Sequence, residues 1–335
     1  MNKETPYSWR EDLKRFAMMI THIAPMWIVA LIALIAVFGL NLFSEVRRWL
    51  KPQNVVIIYA AQDQVYAEPI LKEFETQTGI KVRAIYDSEA TKTVAIANRL
   101  LAERSHPQCD VYWGNEELRT RQLAAQNVFR ETNGWAAFGY RSRRIAVSSV
   151  ANAMLVPQSL HDLTNTAFRG QVALAYPLFG STATHLLALR QYWGTAAWET
   201  WCRALAANKP FLVDGNSVAA RMVAKGQVAV ALTDSDDIAA EMREGGTLRQ
   251  MPLANESLLL PNTVAVIRGA PHSPAAQRLF EYLQSRAVMG KLVQAGALES
   301  ASAAEVPVAT LKPDWDALLR DLDAGTKQLQ SLFLR

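Results

Sequence analysis

Two cysteines, Cys109 and Cys202, are all that this chain of 335 residues carries. With no C-x-x-C and no His/Cys cluster a structural zinc site is not expected; an exported protein could pair the two cysteines, but nothing requires it, and both thiols read as small buried side chains. Histidine is scarce as well, five in all. There is no H-E-x-x-H, no G-x-S-x-G and no G-K-[ST], which removes the common zinc-hydrolase, serine-hydrolase and P-loop chemistries. His22 lies in an apolar run, His106 precedes a proline, and His161 and His272 fall in a loop and a turn. His185 alone is near a strand–helix junction, where it reads as a packed residue rather than a base. An excess of one charge is missing too. The net charge is +4, and residues 1–51 supply most of it with seven Lys or Arg against four Asp or Glu. The remainder is nearly balanced, so no basic face points to nucleic acid.

One stretch lacks charge altogether. From Phe16 to Phe43 there is no Lys, Arg, Asp or Glu, and Ile23–Leu40 reads "IAPMWIVALIALIAVFGL". A helix rising ~1.5 Å per residue needs about 20 residues to cross ~30 Å of hydrocarbon, so a transmembrane helix is expected over residues 23–43. Its exit, "NLFSEVRRWLKPQ", has no A-x-A-like cleavage pair, which favours an uncleaved signal anchor. Lys3, Arg10, Lys14 and Arg15 precede it and Arg47, Arg48 and Lys51 follow, so charge orients it weakly. Residues 1–51 are therefore taken as a lead and signal anchor, the lead being cytoplasmic if the globular part lies outside.

Beyond the anchor, strand-like and helix-like segments alternate. "NVVIIYA" is a continuous β-branched run of the kind buried in parallel sheets. "QVYAEPILKEFETQTG" follows with helical spacing at Ile70, Leu71 and Phe74 and a stop at Gly79. "IKVRAIY", a helix ending before Pro107, and "CDVYWG" complete a right-handed parallel unit. "RIAVSSV", "QVALAYP", "KPFLVDG", "VAVAL" and "LLLPNTVAVIRG" are further strands with helices between them. "PDWDALLRDLDAGTKQLQSLFL" is an amphipathic helix expected to pack across the body. The fold class is α/β.

In such sheets ligands sit beyond the carboxyl ends of strands. Four junctions qualify: "YAAQDQ", "YDSEATKT", "YPLFGSTAT" and "LTDSDD". In the third, Ser181 or Thr182 can cap a helix whose exposed N–H groups favour an anion, and "DGNS" with Asn216 is a similar turn. In the second, Glu89 and Thr91 stand among further hydroxyl groups. The fourth places Asp234, Asp236 and Asp237 after a buried strand. One carboxylate suffices to cap a helix. Three can also bind an ammonium group or a metal ion, and both readings stand.

The order of these pieces resembles the extracytoplasmic solute-binding proteins of ABC transporters, in the branch that includes the ferric-iron-binding proteins. The resemblance is carried by "VVIIYAAQDQ", "FETQTGIKV", "PQCDVYWGNE", "YRSRRIAV", "FRGQVALAYPLFGSTATH", "DGNSVAARMVAKGQVAVALTD" and "PNTVAVIRGAPHSPAAQRLFEYL", through most of residues 54–300. It implies a two-lobed periplasmic-binding-protein clamshell: residues 52–145 with 255–300 as one lobe, 146–254 as the other, 301–335 as a helical tail. It also implies hinge closure on a ligand, a permease as partner, and a globular part outside the cytoplasmic membrane. Where ferric-binding relatives carry two adjacent tyrosines, this chain has Asp236 and Asp237. A first-loop histidine of some relatives corresponds to Asp63, and a glutamate to Glu89.

The expected ligand-binding set is therefore Tyr59, Asp63, Glu89, Thr91, Ser181, Thr182, Asn216, Asp234, Asp236 and Asp237, with Asp236 and Asp237 on a metal or another cation and Ser181 and Thr182 on an anion. Fe(III) with a bridging anion is one cargo. A zwitterion is the other. A ligand sensor for a membrane partner, and an enzyme on the same fold using His185, are the alternatives.

Overall fold

Apolar, β-branched runs make the inner strands. β1 (Val55–Ala60) lies between β2 (Lys81–Tyr86) and β3 (Val111–Gly114), parallel to both. The crossovers are α1 (Gln64–Thr78) and α2 (Lys92–Ala102). α1 buries Ala67, Ile70, Leu71 and Phe74 on one stripe and stops at Gly79, whose φ of 69° is left-handed and suits glycine. This computed structural model describes residues 54–86, 92–132, 134–149, 156–251, 253–306 and 310–334, together with residue 9 and residues 12–15. The apolar segment 23–43, Glu89 and Thr91 lie outside the described residues. Among the described residues no helix is long and apolar enough to cross a membrane.

The next two strands depart from the expected parallel pattern. β9 (Leu259–Val266) runs antiparallel to β3, and β4 (Trp135–Ser148) antiparallel to β9. The sequence suggests a strand only over 144–150, because Arg141, Ser142, Arg143 and Arg144 interrupt the apolar run. β4 instead has 14 residues and serves two half-sheets. Trp135–Ser142 pairs with β9; Arg143–Val147 pairs with β7 (Val230–Asp234), and Ile145–Ser148 with β8 (Leu248–Met251), a strand the sequence did not announce. Beyond β7 follow β5 (Val172–Ala175) and β6 (Phe211–Val213), parallel to it. The order is β2-β1-β3-β9-β4-β7-β5-β6, with β8 on β4.

Each half has its own apolar core, and together they make the two-lobed fold. Val56, Ile58, Phe74, Trp113, Phe138, Val264 and Leu279 fill the first. Ile145, Leu174, Leu187, Trp198, Trp201 and Leu232 fill the second, joined by Leu318, Leu322, Leu329 and Leu332 of the amphipathic helix α10 (Trp315–Phe333). Each fully buried side chain of this size contributes about 1.5–3 kcal/mol. Cys109 and Cys202 are unpaired and buried in different clusters.

A bulge at Gly139 decides which side chains reach the junction of the halves. Phe138 opposes Asn262, and Tyr140 opposes the very next residue, Pro261, so one residue is extra. Gly139 takes it up at φ 63°, and a Cβ there would stand 2.2 Å from Leu298 Cδ1. Opposed residues share a face and successive residues alternate. After the bulge the face that carried Phe138 therefore carries Arg141, Arg143 and Ile145. One sheet face thus reads apolar in the first half, polar at Asn262, Arg141, Arg143 and Asp234, and apolar again at Ile145 and Leu232. The polar stripe is where the halves meet.

Candidate functional site

β7, β5 and β6 lie side by side and parallel, so the helices that follow them begin at one edge. These are α7 (Ser235–Arg243), α4 (Gly180–Trp193) and α6 (Asn216–Ala224). None of their N-cap residues, Asp234, Phe179 or Gly215, makes a side-chain cap bond among the described residues. The opening stretch of α7 supplies Asp234, Asp236 and Asp237 together, with carboxylate oxygens within 4.8 Å of one another.

The three aspartates do different things. Asp234 ends β7 directly opposite Arg143 of β4. Its Oδ1 accepts from Arg143 Nη1 at 2.5 Å, and its Oδ2 from Ser181 Oγ at 2.7 Å and Asn216 Nδ2 at 3.2 Å. Burial alone would push its pKa up. The Arg143 and Arg141 charges, with the bonds from Arg143 and Ser181, outweigh that and hold it below the ordinary value. Asp234 is thus the counter-ion of a buried arginine. Removing one partner of such a pair costs about 3–5 kcal/mol, because the other charge is left uncompensated.

Asp236 is buried but poorly partnered. Its Oδ1 lies 3.4 Å from Arg141 Nε, yet neither atom has a hydrogen-bond partner among the described residues. Burial, then the charges of Asp234 and Asp63, raise its pKa to about 7 against the pull of Arg141. Asp237 is half-buried, with Thr233 Oγ1 3.4 Å from its Oδ2. Burial and the neighbouring Asp236, Asp234 and Asp63 raise its pKa well above the carboxylate range. The charge of Asp63, the N-cap of α1, reaches both aspartates and Arg141. α1 and α7, one from each half, therefore face one another. Tyr66 of α1 marks the same approach, accepting from Arg243 Nη2 of α7 at 2.8 Å.

The structure brings Asp63, Ser181, Thr182, Asn216, Asp234, Asp236 and Asp237 into one neighbourhood. Ser181 and Thr182 differ from expectation in one respect. Ser181 Oγ donates to Asp234, and Thr182 Oγ1 donates to Asn216 Oδ1 at 3.2 Å, so both protons are spent inside the protein. What α4 retains for an anion is its first-turn backbone. Tyr59 does not join the group: it projects to the opposite face of β1, is fully buried, and gives its phenol to Glu103 Oε2 at 2.9 Å beneath Arg99. The alternation of β1 explains this, since Ala60 takes the face of the site. His185 is fully buried, with Nε2 2.6 Å from the Glu256 carbonyl. Burial and the nearby Arg143 lower its pKa to about 3, so it stays neutral as a packed residue.

Four further residues of the site were not anticipated. Arg141 and Arg143 are buried on the β4 stripe; three arginines within "RSRR" of an otherwise apolar strand were the available signal. The third, Arg144, projects to the other face and pairs with Glu299 at 3.0 Å. Gln62 is 2% exposed and Asn262 0% exposed, and neither end of either amide has a partner among the described residues. Gln62 stood within the "YAAQDQ" junction. Asn262 was hidden in an apolar run.

Residues 55–297 match a family model described as bacterial extracellular solute-binding protein. A Salmonella paratyphi A protein named "Putative 2-aminoethylphosphonate-binding periplasmic protein" is 24% identical over 332 residues, covering 88% of this chain and 95% of its own. Iron-bound HitA from Pseudomonas aeruginosa superposes with a TM-score of 0.71 at 19% identity, over 83% of this chain and 99% of that one. The periplasmic binding protein AfuA from Actinobacillus pleuropneumoniae, with fructose-6-phosphate bound, gives 0.70 at 17% identity, over 83% and 98%.

Proposed function

The chain belongs to the bacterial extracellular solute-binding proteins, and from that premise we propose that it captures a small zwitterion between its two lobes and delivers it to an ABC importer. The cationic end rests on Asp236 and Asp237, with Asp63 opposite. The anionic end is drawn to Arg141 and to the open first turns of α4 and α6. One observation carries this reading. Arg141 Nε and Asp236 Oδ1 face each other at 3.4 Å as an ion pair without a hydrogen bond, and each atom lacks a partner among the described residues. An ammonium group on the carboxylate and an oxyanion on the guanidinium would satisfy both, and charge-assisted bonds of this kind are the strong ones. The relative named for 2-aminoethylphosphonate supports the reading, since that compound joins an amine to an oxyanion.

We assign residues 52–145 and 255–300 to one lobe, 146–254 to the other and 301–335 to the tail. We also propose that residues 23–43 anchor the protein in the cytoplasmic membrane with the lobes on the periplasmic side. Closure is hinge motion about the β4 and β9 crossings.

Iron as cargo is the second reading. The three carboxylates of Asp234, Asp236 and Asp237 favour it, as does the fold shared with iron-bound HitA. Against it, both oxygens of Asp234 are already engaged. Isothermal titration with 2-aminoethylphosphonate and, separately, with ferric citrate decides between them. The zwitterion is expected to bind the wild type at one site and to lose at least tenfold in affinity with Asp236→Asn. Ferric binding without zwitterion binding would overturn the proposal.

A further inference from the structure

Gln62 and Asn262 are buried carboxamides with no hydrogen-bond partner at either end among the described residues. The sheet register places them together. Ala60 of β1, Trp113 of β3, Val264 of β9 and Ala136 of β4 form one row across a single face of the first half-sheet. β1 and β3 are parallel and β9 is antiparallel to them. Two residues further toward the polar stripe therefore lie Gln62 on the β1 side, just past the Ala61 N–H to Trp113 carbonyl bond of 2.8 Å, and Asn262 on β9. Two residues beyond Asn262, Leu260 opposes Arg141. Strands spaced ~4.8 Å apart put the two backbones roughly 10 Å from each other, a gap that a Gln and an Asn side chain reaching toward one another can narrow onto a single oxyanion.

Buried amides are normally hydrogen-bonded, because an unpaired one forfeits its bonds to water. Here two carboxamides, both at least nine-tenths buried, are unpaired at both ends on the face that leads to Arg141 and Asp236. A fold that needed only to fill this space would be more stable with Leu or Met at each position. We infer that Gln62 and Asn262 are specificity-determining residues that donate their amide N–H groups, beside Arg141 Nε–H, to the oxyanion of the bound solute. The assignment rests on the zwitterion reading and extends it: the anionic end lies on the sheet floor, held by two neutral carboxamides and one guanidinium, rather than on the hydroxyl groups of Ser181 and Thr182. A carboxamide gives directional donors without added charge. A solute ending in an uncharged group would leave these donors unpaired and be rejected, a discrimination that apolar packing does not achieve.

The test uses Gln62→Met, Asn262→Leu and Asn262→Ala in the full chain, with two readouts. Thermal unfolding of the ligand-free protein is read first. Gln62→Met and Asn262→Leu are expected to keep or raise the midpoint, because each removes an unpaired buried amide of similar size. A fall of several degrees in both would show that the amides hold the fold together, and would overturn the inference. Titration with 2-aminoethylphosphonate is read second. Each of the three variants is expected to lose roughly tenfold or more in affinity, as one or two hydrogen bonds are removed. Unchanged affinity in Asn262→Leu and Gln62→Met would also overturn it. Failure of the wild type to bind this compound would sink the zwitterion reading and with it the assignment of the oxyanion. In that case the first readout still separates amides kept for a solute from amides kept for folding.

Discussion

Asp234 and Asp236 are two residues apart and chemically opposite. The first is pinned by Arg143, Ser181 and Asn216 and stays ionised. The second faces Arg141 without bonding to it, and its pKa rises to about 7. The sign of the consequence follows from proton counting. In the unfolded chain Asp236 loses its proton near pH 4; in the folded, ligand-free protein it keeps the proton until about pH 7. Between those values the native state binds more protons, so this group's contribution to stability is full below pH 4 and is lost as pH rises to about 7. Denaturant melts of wild type and Asp236→Asn at pH 4.5 and 7.5 check this. The wild type is expected to lose stability over that interval relative to the variant. An identical pH dependence in the two proteins would contradict the assignment.

At the scale of elements, β4 organises the site. Its bulge at Gly139 rephases the strand so that Arg141 and Arg143, rather than Ser142 and Arg144, share the face of Asp234 and Asn262. A residue with a Cβ at position 139 must adopt φ 63° and push Leu298 aside. Gly139→Ala is therefore expected to cost about 1–2 kcal/mol from backbone strain alone, measured as a shift of the unfolding midpoint. A neutral substitution would show that the bulge is relaxed. The same element shows what could be read in the sequence. The parallel unit β1-α1-β2-α2-β3 was legible because its apolar runs and its Gly79 stop are local signals. Of β4 only the apolar end from Arg144 was legible, because the strand through "YRSRR" is held by partners more than ninety residues away, Asp234 at 3.4 Å from Arg141 among them. Acidic residues at a strand end announced the site. Arg141, Arg143, Gln62 and Asn262 were harder to single out, because the role of each depends on strand facing, which for the two arginines a single bulged residue reverses.

At the scale of the molecule, two cores of ordinary composition flank one polar stripe, and strands β4 and β9 cross between them. Carboxylates dominate the stripe: Asp63, Asp234, Asp236 and Asp237 surround Arg141, and Arg143 is already matched to Asp234. Such a site resists full ionisation until a cation arrives. Binding an ammonium group should therefore drive protons off Asp236 and Asp237. On the zwitterion proposal, the open junctions and the carboxylate excess suit a solute with its own positive end. The most direct measurement is calorimetric titration of the full chain with 2-aminoethylphosphonate at pH 6.5, repeated in two buffers of different ionisation enthalpy. One-site binding with net proton release, with the affinity at least tenfold weaker and fewer protons released in Asp236→Asn, is the predicted result. Binding with no proton exchange, or no binding while ferric citrate saturates the site, would contradict it.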